Sequence, residues 1–228
     1  MSRRMRVVVF ASGGGSNFQT LIDRSERGGD GIDLVGLVAS RPDAGAVDRA
    51  RRHGIPVLMA PGEGDPGEDR SSEARRLTEI LEGLGAELIV LAGYLRLVPD
   101  LVVRSWWGRI VNVHPALLPA FGGPGMYGRR VHEAVLASGA RVTGVTVHFV
   151  DEQYDRGPII AQWPVPVLEN DTPDTLGRRV LDVEHRVLPD VVAALARGDV
   201  GLAADKRVRW ARSWFEEDCF MVSRDGRT

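Results

Sequence analysis

Uninterrupted apolar runs alternate with amphipathic segments along the first half of this chain. RVVVFA (6–11) carries no polar residue after its arginine, which predicts a strand buried on both faces. Residues 12–16 follow as a loop and 17–27 as a helix. The same reading gives a strand at 32–39, a helix at 43–53 closed by Gly54, and a strand at 55–60. Residues 61–70, rich in Gly, Pro and acid, predict a surface loop. Ser71 or Ser72 is placed to cap a helix running to about 84. Strands at 87–93 and 109–115 flank a short helix at 100–107. This βαβαβαβαβ order is the pattern of a parallel sheet covered on both faces.

The rhythm changes afterwards. A glycine-rich loop (121–128) and a helix (131–138) precede two strands, 141–150 and 158–167. The connection between them, 151–157, is too short for a parallel crossover, so they are expected to run antiparallel. In the last helix, 173–197, Leu176, Val180, Val183, Val187, Val191 and Leu195 fall on one stripe. No internal repeat or interdomain linker breaks the chain. The expectation is a single α/β domain over 5–200, mostly parallel, with antiparallel strands in its C-terminal half and a tail at 201–228.

Composition narrows the class. The chain has 228 residues, 43% hydrophobic and 26% charged, enough to bury a core without disulfide or metal. A formal net charge of −2 with no strongly basic segment gives no bulk attraction to nucleic acid or to an anionic membrane. The single cysteine, Cys219, excludes an intrachain disulfide and fits a reducing, cytoplasmic setting. No apolar stretch approaches the roughly 20 residues that span a bilayer.

Three segments carry candidate chemistry. ASGGGSN (11–17) lies between a strand and a helix, where backbone N–H groups and the helix N-terminus can meet an anion. Phe18 stands where a dinucleotide fingerprint needs its third glycine, and Ser40-Arg41 replaces the acid that reads a ribose. The loop therefore suits a single phosphate; the plain alternative is a tight turn with no ligand. NVHPALLP (112–119) closes the fifth strand, at the C-terminal strand ends where a parallel sheet binds ligands. Asn112 and His114 point to the same side, and an amide beside an imidazole suits oxyanion stabilisation with proton transfer. In TVHFVDEQYDRGP (146–158), Thr146 and His148 share a strand face. One of Asp151, Glu152 or Asp155 could orient a histidine. The histidines show no metal-ligand spacing, so no metal is expected.

These motifs, in this order and spacing, resemble the folate-dependent formyltransferase family over about 5–197. The most specific pieces are NVHPALLP and HFVDEQYDRGPII. The resemblance implies a Rossmann-like fold, with a phosphate-binding half over about 5–105 and a folate-binding, catalytic half over about 106–200. It also implies transfer of the formyl group of 10-formyltetrahydrofolate to the amino group of glycinamide ribonucleotide, in purine biosynthesis. Carried over by position, the catalytic residues are Asn112, His114 and Asp155. Gly15, Ser16 and Asn17 hold the substrate phosphate, and Glu184 contacts the ribose. Leu95, Arg96, Leu97, Val98 and Asn112 line the folate pocket, and His148 supports the catalytic strand. Ala116 stands where a serine is common, and FGGPGMYG (121–128) replaces a more usual loop. A second folate-contacting arginine is left among Arg70, Arg75 and Arg76.

Two relatives with the same triad compete. A formyltetrahydrofolate hydrolase carries an N-terminal regulatory domain, which a first strand at Arg6 is expected to exclude. A tRNA formyltransferase adds a C-terminal nucleic-acid-binding domain. The residues alone also leave an NADP-dependent oxidoreductase, through Arg41, and a catalytically idle nucleotide-binding module. Apolar residues near the C-terminus are compatible with a homodimer.

Overall fold

Strand β1 (Met5–Ala11) is an interior strand, third in a seven-stranded sheet, and the other elements are placed by reference to it. The computed structural model describes residues 3–28, 30–60 and 70–211. In chain order these form α1 (Ser16–Arg27), β2 (Ile32–Ala39), α2 (Gly45–Arg52), β3 (Val57–Met59), α3 (Arg70–Gly83), β4 (Leu88–Leu91) and α4 (Asp100–Ser105). They continue with β5 (Ile110–His114), α5 (Arg129–Ala137), β6 (Val142–Phe149), β7 (Ile159–Pro166) and α6 (Pro173–Arg197). A small pair, β8 (Val200–Leu202) and β9 (Val208–Trp210), ends the described chain.

The sheet runs β3-β2-β1-β4-β5-β6-β7. Its first five strands are parallel; β7 runs antiparallel to β6, as the short connection predicts, and β6 also runs antiparallel to β5. Alternation along β1 feeds two separate cores. Val7, Val9 and Ala11 pack with residues of α1, α2 and α6, whereas Val8 and Phe10 pack with residues of α3 and α4. This is why the strand reads as continuously apolar: both of its faces are covered. The chain moves outward from β1 to β3 and then returns to β4, so the loops after β1 and β4 part around a crevice. Such a reversal of strand order is the usual ligand site of an open α/β sheet.

Two glycines fix the antiparallel corner. A Cβ on Gly157 would stand 1.8 Å from the Phe149 carbonyl oxygen, and one on Gly144 would stand 2.1 Å from that of Trp163. Only glycine allows such close backbone approach. The Gly157-Pro158 step therefore folds the 151–157 connection tightly back onto the end of β6. Helix α6 starts with a capping box between Thr172 and Thr175 and Pro173 at its first position, and stops at left-handed Gly198. All six residues of its predicted stripe are buried.

Element ends differ from the sequence reading by a residue or two, as fraying termini do. Ser71 and Ser72 lie inside α3, which already includes Arg70, and so do not cap it. The residues after α6, expected as a tail, begin with the β8–β9 hairpin, and Trp210 Nε1–H donates to the Ile160 carbonyl at 3.3 Å. Of the predicted loop at 61–70, Arg70 belongs to α3, and 61–69 lie outside the described residues, as does Cys219.

Candidate active site

The end of β5 and the β6–β7 connection bring Asn112, His114, His148 and Asp155 together. The antiparallel register sets Asn112 opposite His148 and His114 opposite Thr146, so alternate side chains of both strands share one face. Asp155 reaches them from the connection with φ +56°, a left-handed conformation uncommon for a residue with a side chain. Holding it there costs on the order of 1–3 kcal/mol. The contacts of its carboxylate hold it in place. Oδ2 accepts the Gly123 N–H at 2.8 Å, Oδ1 lies 3.4 Å from Asn112 Nδ2, and the two histidines stand 3.6 and 3.7 Å away. Of the three acids left open by the sequence, Asp155 is the one at the histidines. Asp151 instead accepts the Gln153 N–H, and Glu152 pairs with Arg104.

Backbone carbonyls place one proton on each imidazole. His148 Nδ1 lies 2.7 Å from the Phe149 carbonyl, which can only accept, so the proton is on Nδ1. Its Nε2 faces both Asn112 Nδ2, at 3.1 Å, and Asp155 Oδ1, at 3.7 Å. His114 Nε2–H donates to the Phe121 carbonyl at 2.8 Å, which leaves Nδ1 facing Asp155. Burial lowers the His114 pKa below its ordinary value; Asp155 and the Phe121 carbonyl oppose that, and His148 adds to it. Burial would raise Asp155, but His148, His114 and the Gly123 N–H outweigh it and keep the carboxyl low. The charge of Asp155 therefore works to hold up an imidazolium that burial disfavours. A permanently charged His114 is not what the resting site favours.

The glycine loop lies at the other side of the crevice. Gly15 is left-handed at φ +71°, and a Cβ there would stand 2.7 Å from that of Ala46, so α2 packs directly on the turn. The Gly13 and Gly14 carbonyls are taken by Ala46 N–H at 3.1 Å and Arg49 Nε at 2.8 Å. Among the described residues, no acceptor takes the N–H groups of Gly13 through Asn17. The loop therefore presents donors at the positive end of α1. The Asn17 side chain turns away from this nest and donates to Glu184 Oε2 at 2.6 Å, while its own Oδ1 is buried without a partner among the described residues. Burial pushes the Glu184 carboxyl up to about 7, against the pull of Asn17.

A cavity of about 760 Å³ joins the two ends. It reaches Asn112, His114, His148 and Asp155 on one side and Asn17 and Glu184 on the other, with Leu95, Arg96, Leu97 and Val98 along its wall. Gly15 and Ser16 do not line it; they adjoin it through the N-terminus of α1. Leu95 is half exposed, Val98 is buried in the core, and Arg96 Nη2 donates to Glu73 Oε1 at 2.6 Å. Arg75 and Arg76 are exposed and do not line the cavity, whereas Arg96 does; the side chain of the third candidate, Arg70, lies outside what the structure describes.

Contacts that the residue types alone do not reveal complete the site. Ser12 Oγ receives the Leu95 N–H at 2.9 Å and the Ser40 hydroxyl at 2.7 Å, tying the loop after β1 to the loop after β4. Thr146 donates to the Ala116 carbonyl and receives the Leu118 N–H, which shapes the turn after His114. The Phe121 carbonyl that holds His114 belongs to the FGGPGMYG segment, and a backbone oxygen leaves no mark in a sequence. Among the described residues, no group of three His, Cys, Asp or Glu could hold a metal, and no helix is long and apolar enough to cross a membrane.

Against known proteins, the formyl transferase family matches residues 5–192 of this chain. The chain is 44% identical over 209 residues to the chloroplastic phosphoribosylglycinamide formyltransferase of Arabidopsis thaliana, covering 91% of this chain and 68% of that protein. It is 37% identical to the phosphoribosylglycinamide formyltransferase of Bacillus subtilis (strain 168), over 83% of this chain and 94% of that one. Among solved structures, glycinamide ribonucleotide transformylase 1 from Symbiobacterium toebii superposes with a TM-score of 0.82 at 37% identity, covering 92% and 95% of the two chains.

Proposed function

This chain belongs to the formyl transferase family, and from that premise we infer that it transfers the formyl group of 10-formyltetrahydrofolate to the amino group of glycinamide ribonucleotide, a step of purine biosynthesis. The observation that carries this reading is the single cavity with Asn112, His114 and Asp155 at one side and the Asn17–Glu184 pair at the other. Its volume, about 760 Å³, lies in the upper part of the range for small-molecule sites, as two ligands require.

In the reaction the acceptor amine attacks the formyl carbon. A C–N bond forms to the acceptor, the bond from the formyl carbon to the folate nitrogen breaks, and the amine proton passes to that nitrogen. The intermediate is an oxyanion, and donors aimed at its oxygen lower the barrier most. Asn112 and His114 supply them. In the ligand-free arrangement both are engaged, His114 Nε2 by the Phe121 carbonyl and Asn112 Nδ2 by His148 and, more loosely, Asp155. The formyl oxygen takes the place of the Phe121 carbonyl, and Asn112 turns the N–H that faces Asp155. As negative charge develops, His114 gains a partner that favours its protonated form, and Asp155 stabilises that cation from the other side. Asp155 also receives or relays the amine proton.

The acceptor phosphate lies on the N–H groups of Gly15, Ser16 and Asn17, the ribose against Glu184, and the donor along Leu95, Arg96, Leu97 and Val98. Asn17 contributes its backbone N–H to the phosphate, since its side chain is bound to Glu184. His148 holds Asn112. The single cysteine supports a cytoplasmic setting, and neither nucleic acid nor membrane takes part; a homodimer is compatible with this scheme.

The test is consumption of 10-formyl-dideazafolate, followed by absorbance. Consumption that requires glycinamide ribonucleotide and is lost in His114→Ala supports the transferase. Consumption without the ribonucleotide would make the chain a hydrolase, and none in either case would refute the formyl-transfer reading.

A further inference from the structure

We infer that His132, on α5, is a binding residue for the acceptor: a neutral imidazole whose Nε2–H donates to a carbonyl or hydroxyl oxygen of the ribonucleotide. The inference rests on the acceptor site assigned above. His132 is 7% exposed and lines the same cavity as Asn17, Gly177 and Glu184. Its Nδ1 is sealed from solvent and has no partner among the described residues. A buried N–H without an acceptor is rarer and costlier than a spare lone pair, which places the proton on Nε2. That edge of the ring reaches the cavity beside Gly177, where a Cβ would come 3.0 Å from Cδ2 and 3.3 Å from Nε2.

Gly177 strengthens the case. It sits inside the 25-residue helix α6, where glycine is a poor helix former, and any side chain there would crowd the imidazole. The helix thus leaves room for this ring. Burial, with the nearby His114, keeps His132 neutral, so it offers a hydrogen-bond donor without a charge. Glu184 lies seven residues on from Gly177, two turns along the same face of α6. An acceptor whose ribose meets Glu184 and whose amine reaches His114 therefore runs past His132. A neutral donor suits the amide carbonyl or a ribose hydroxyl, whereas a phosphate is already served by the glycine loop.

The experiment is calorimetric titration of glycinamide ribonucleotide, and separately of 10-formyl-dideazafolate, into the full chain, His132→Ala, His132→Gln and His132→Asn. Loss of one neutral hydrogen bond predicts acceptor affinity about five- to tenfold weaker in His132→Ala. The Gln variant, whose amide nitrogen reaches the place of Nε2, should bind within twofold of the unaltered chain; the Asn variant, too short, should not. Folate-analogue affinity should stay within twofold throughout, and the KM for the acceptor should follow its Kd with kcat little changed. Equal acceptor affinity in His132→Ala, a Gln variant as weak as Ala, or equal loss of both ligands would overturn the inference. Should His132→Ala fail to fold, the Gln–Asn contrast decides it. An unaltered chain that binds no ribonucleotide would remove the acceptor assignment itself, and this inference with it.

Discussion

His114 Nδ1 and Asp155 Oδ2 stand 3.6 Å apart, an ion-pair separation longer than a good hydrogen bond, with both side chains almost fully buried. At this distance the carboxylate acts on the imidazole mainly through charge. Asp155→Asn removes the charge and keeps an oxygen for the Gly123 N–H. Without it the His114 pKa falls further, because burial is then less opposed. Turnover at neutral pH should drop by about 10²–10⁴-fold. Since the imidazolium is the stabilising form, the decline of rate with rising pH should move to lower pH. A pH profile of kcat for both proteins checks this, and an unmoved profile would refute the electrostatic role.

Asn112→Ala should lose about 10²–10³ in turnover, the usual effect of deleting one oxyanion donor. His148 Nε2 loses its partner as well, at about 1 kcal/mol of stability. Unfolding curves measured beside the kinetics separate the two effects. An Ala variant with full turnover would remove Asn112 from the chemistry.

Gly157→Ala should destabilise the fold by about 3 kcal/mol or more, because its Cβ would lie 1.8 Å from the Phe149 carbonyl oxygen and the backbone itself has to move. Asp155, two residues away, would move with it, so turnover of whatever folds should fall too. Urea unfolding is the measurement, and an Ala variant of unchanged midpoint would contradict the packing at this corner.

The glycine loop offers a paired test. Gly15→Ala meets both a φ of +71° and a 2.7 Å approach to Ala46, so it should cost about 2 kcal/mol or more. Gly14→Ala meets nothing within 4 Å and should stay within about 0.5 kcal/mol. Thermal unfolding of the two variants should therefore part them clearly.

Glu184 makes stability depend on pH in a predictable direction. Its folded pKa is raised by burial from 4.5 to about 7, so its contribution is fully present below pH 4.5 and is lost as the pH rises through about 7. Relative to Glu184→Gln, the ligand-free chain should lose on the order of 3 kcal/mol across that interval. Burial lowers His114, His132 and His185, whose contributions instead fade on acidification below their ordinary 6.5. Those terms are common to both proteins and cancel in the difference. A difference in unfolding free energy that is flat with pH would show Glu184 to be already solvated.

The elements were legible because burial follows period: β1 reads as apolar since both its faces are covered, and the α6 stripe since one face is. Asn112 and His114 could be paired from strand alternation alone. Asp155 could not be told from Asp151 or Glu152 by residue type, because its left-handed backbone and its Gly123 contact decide which acid turns inward. The family resemblance, not the local spacing, selected it. His132 gave no signal, since its meaning depends on Gly177, 45 positions away on another helix. The β8–β9 hairpin is not legible in the sequence because two three-residue strands are too short to set a period.

Ser12 sits where the two ligand loops leave neighbouring strands, and one hydroxyl fastens the segment that begins at Leu95 to the base of the glycine turn. If donor and acceptor lie as proposed, the spacing between formyl carbon and attacking amine is thereby a built-in gauge, set by one small side chain that has no chemistry of its own. A fault there would leave each substrate able to bind alone and the pair unable to meet at bonding distance.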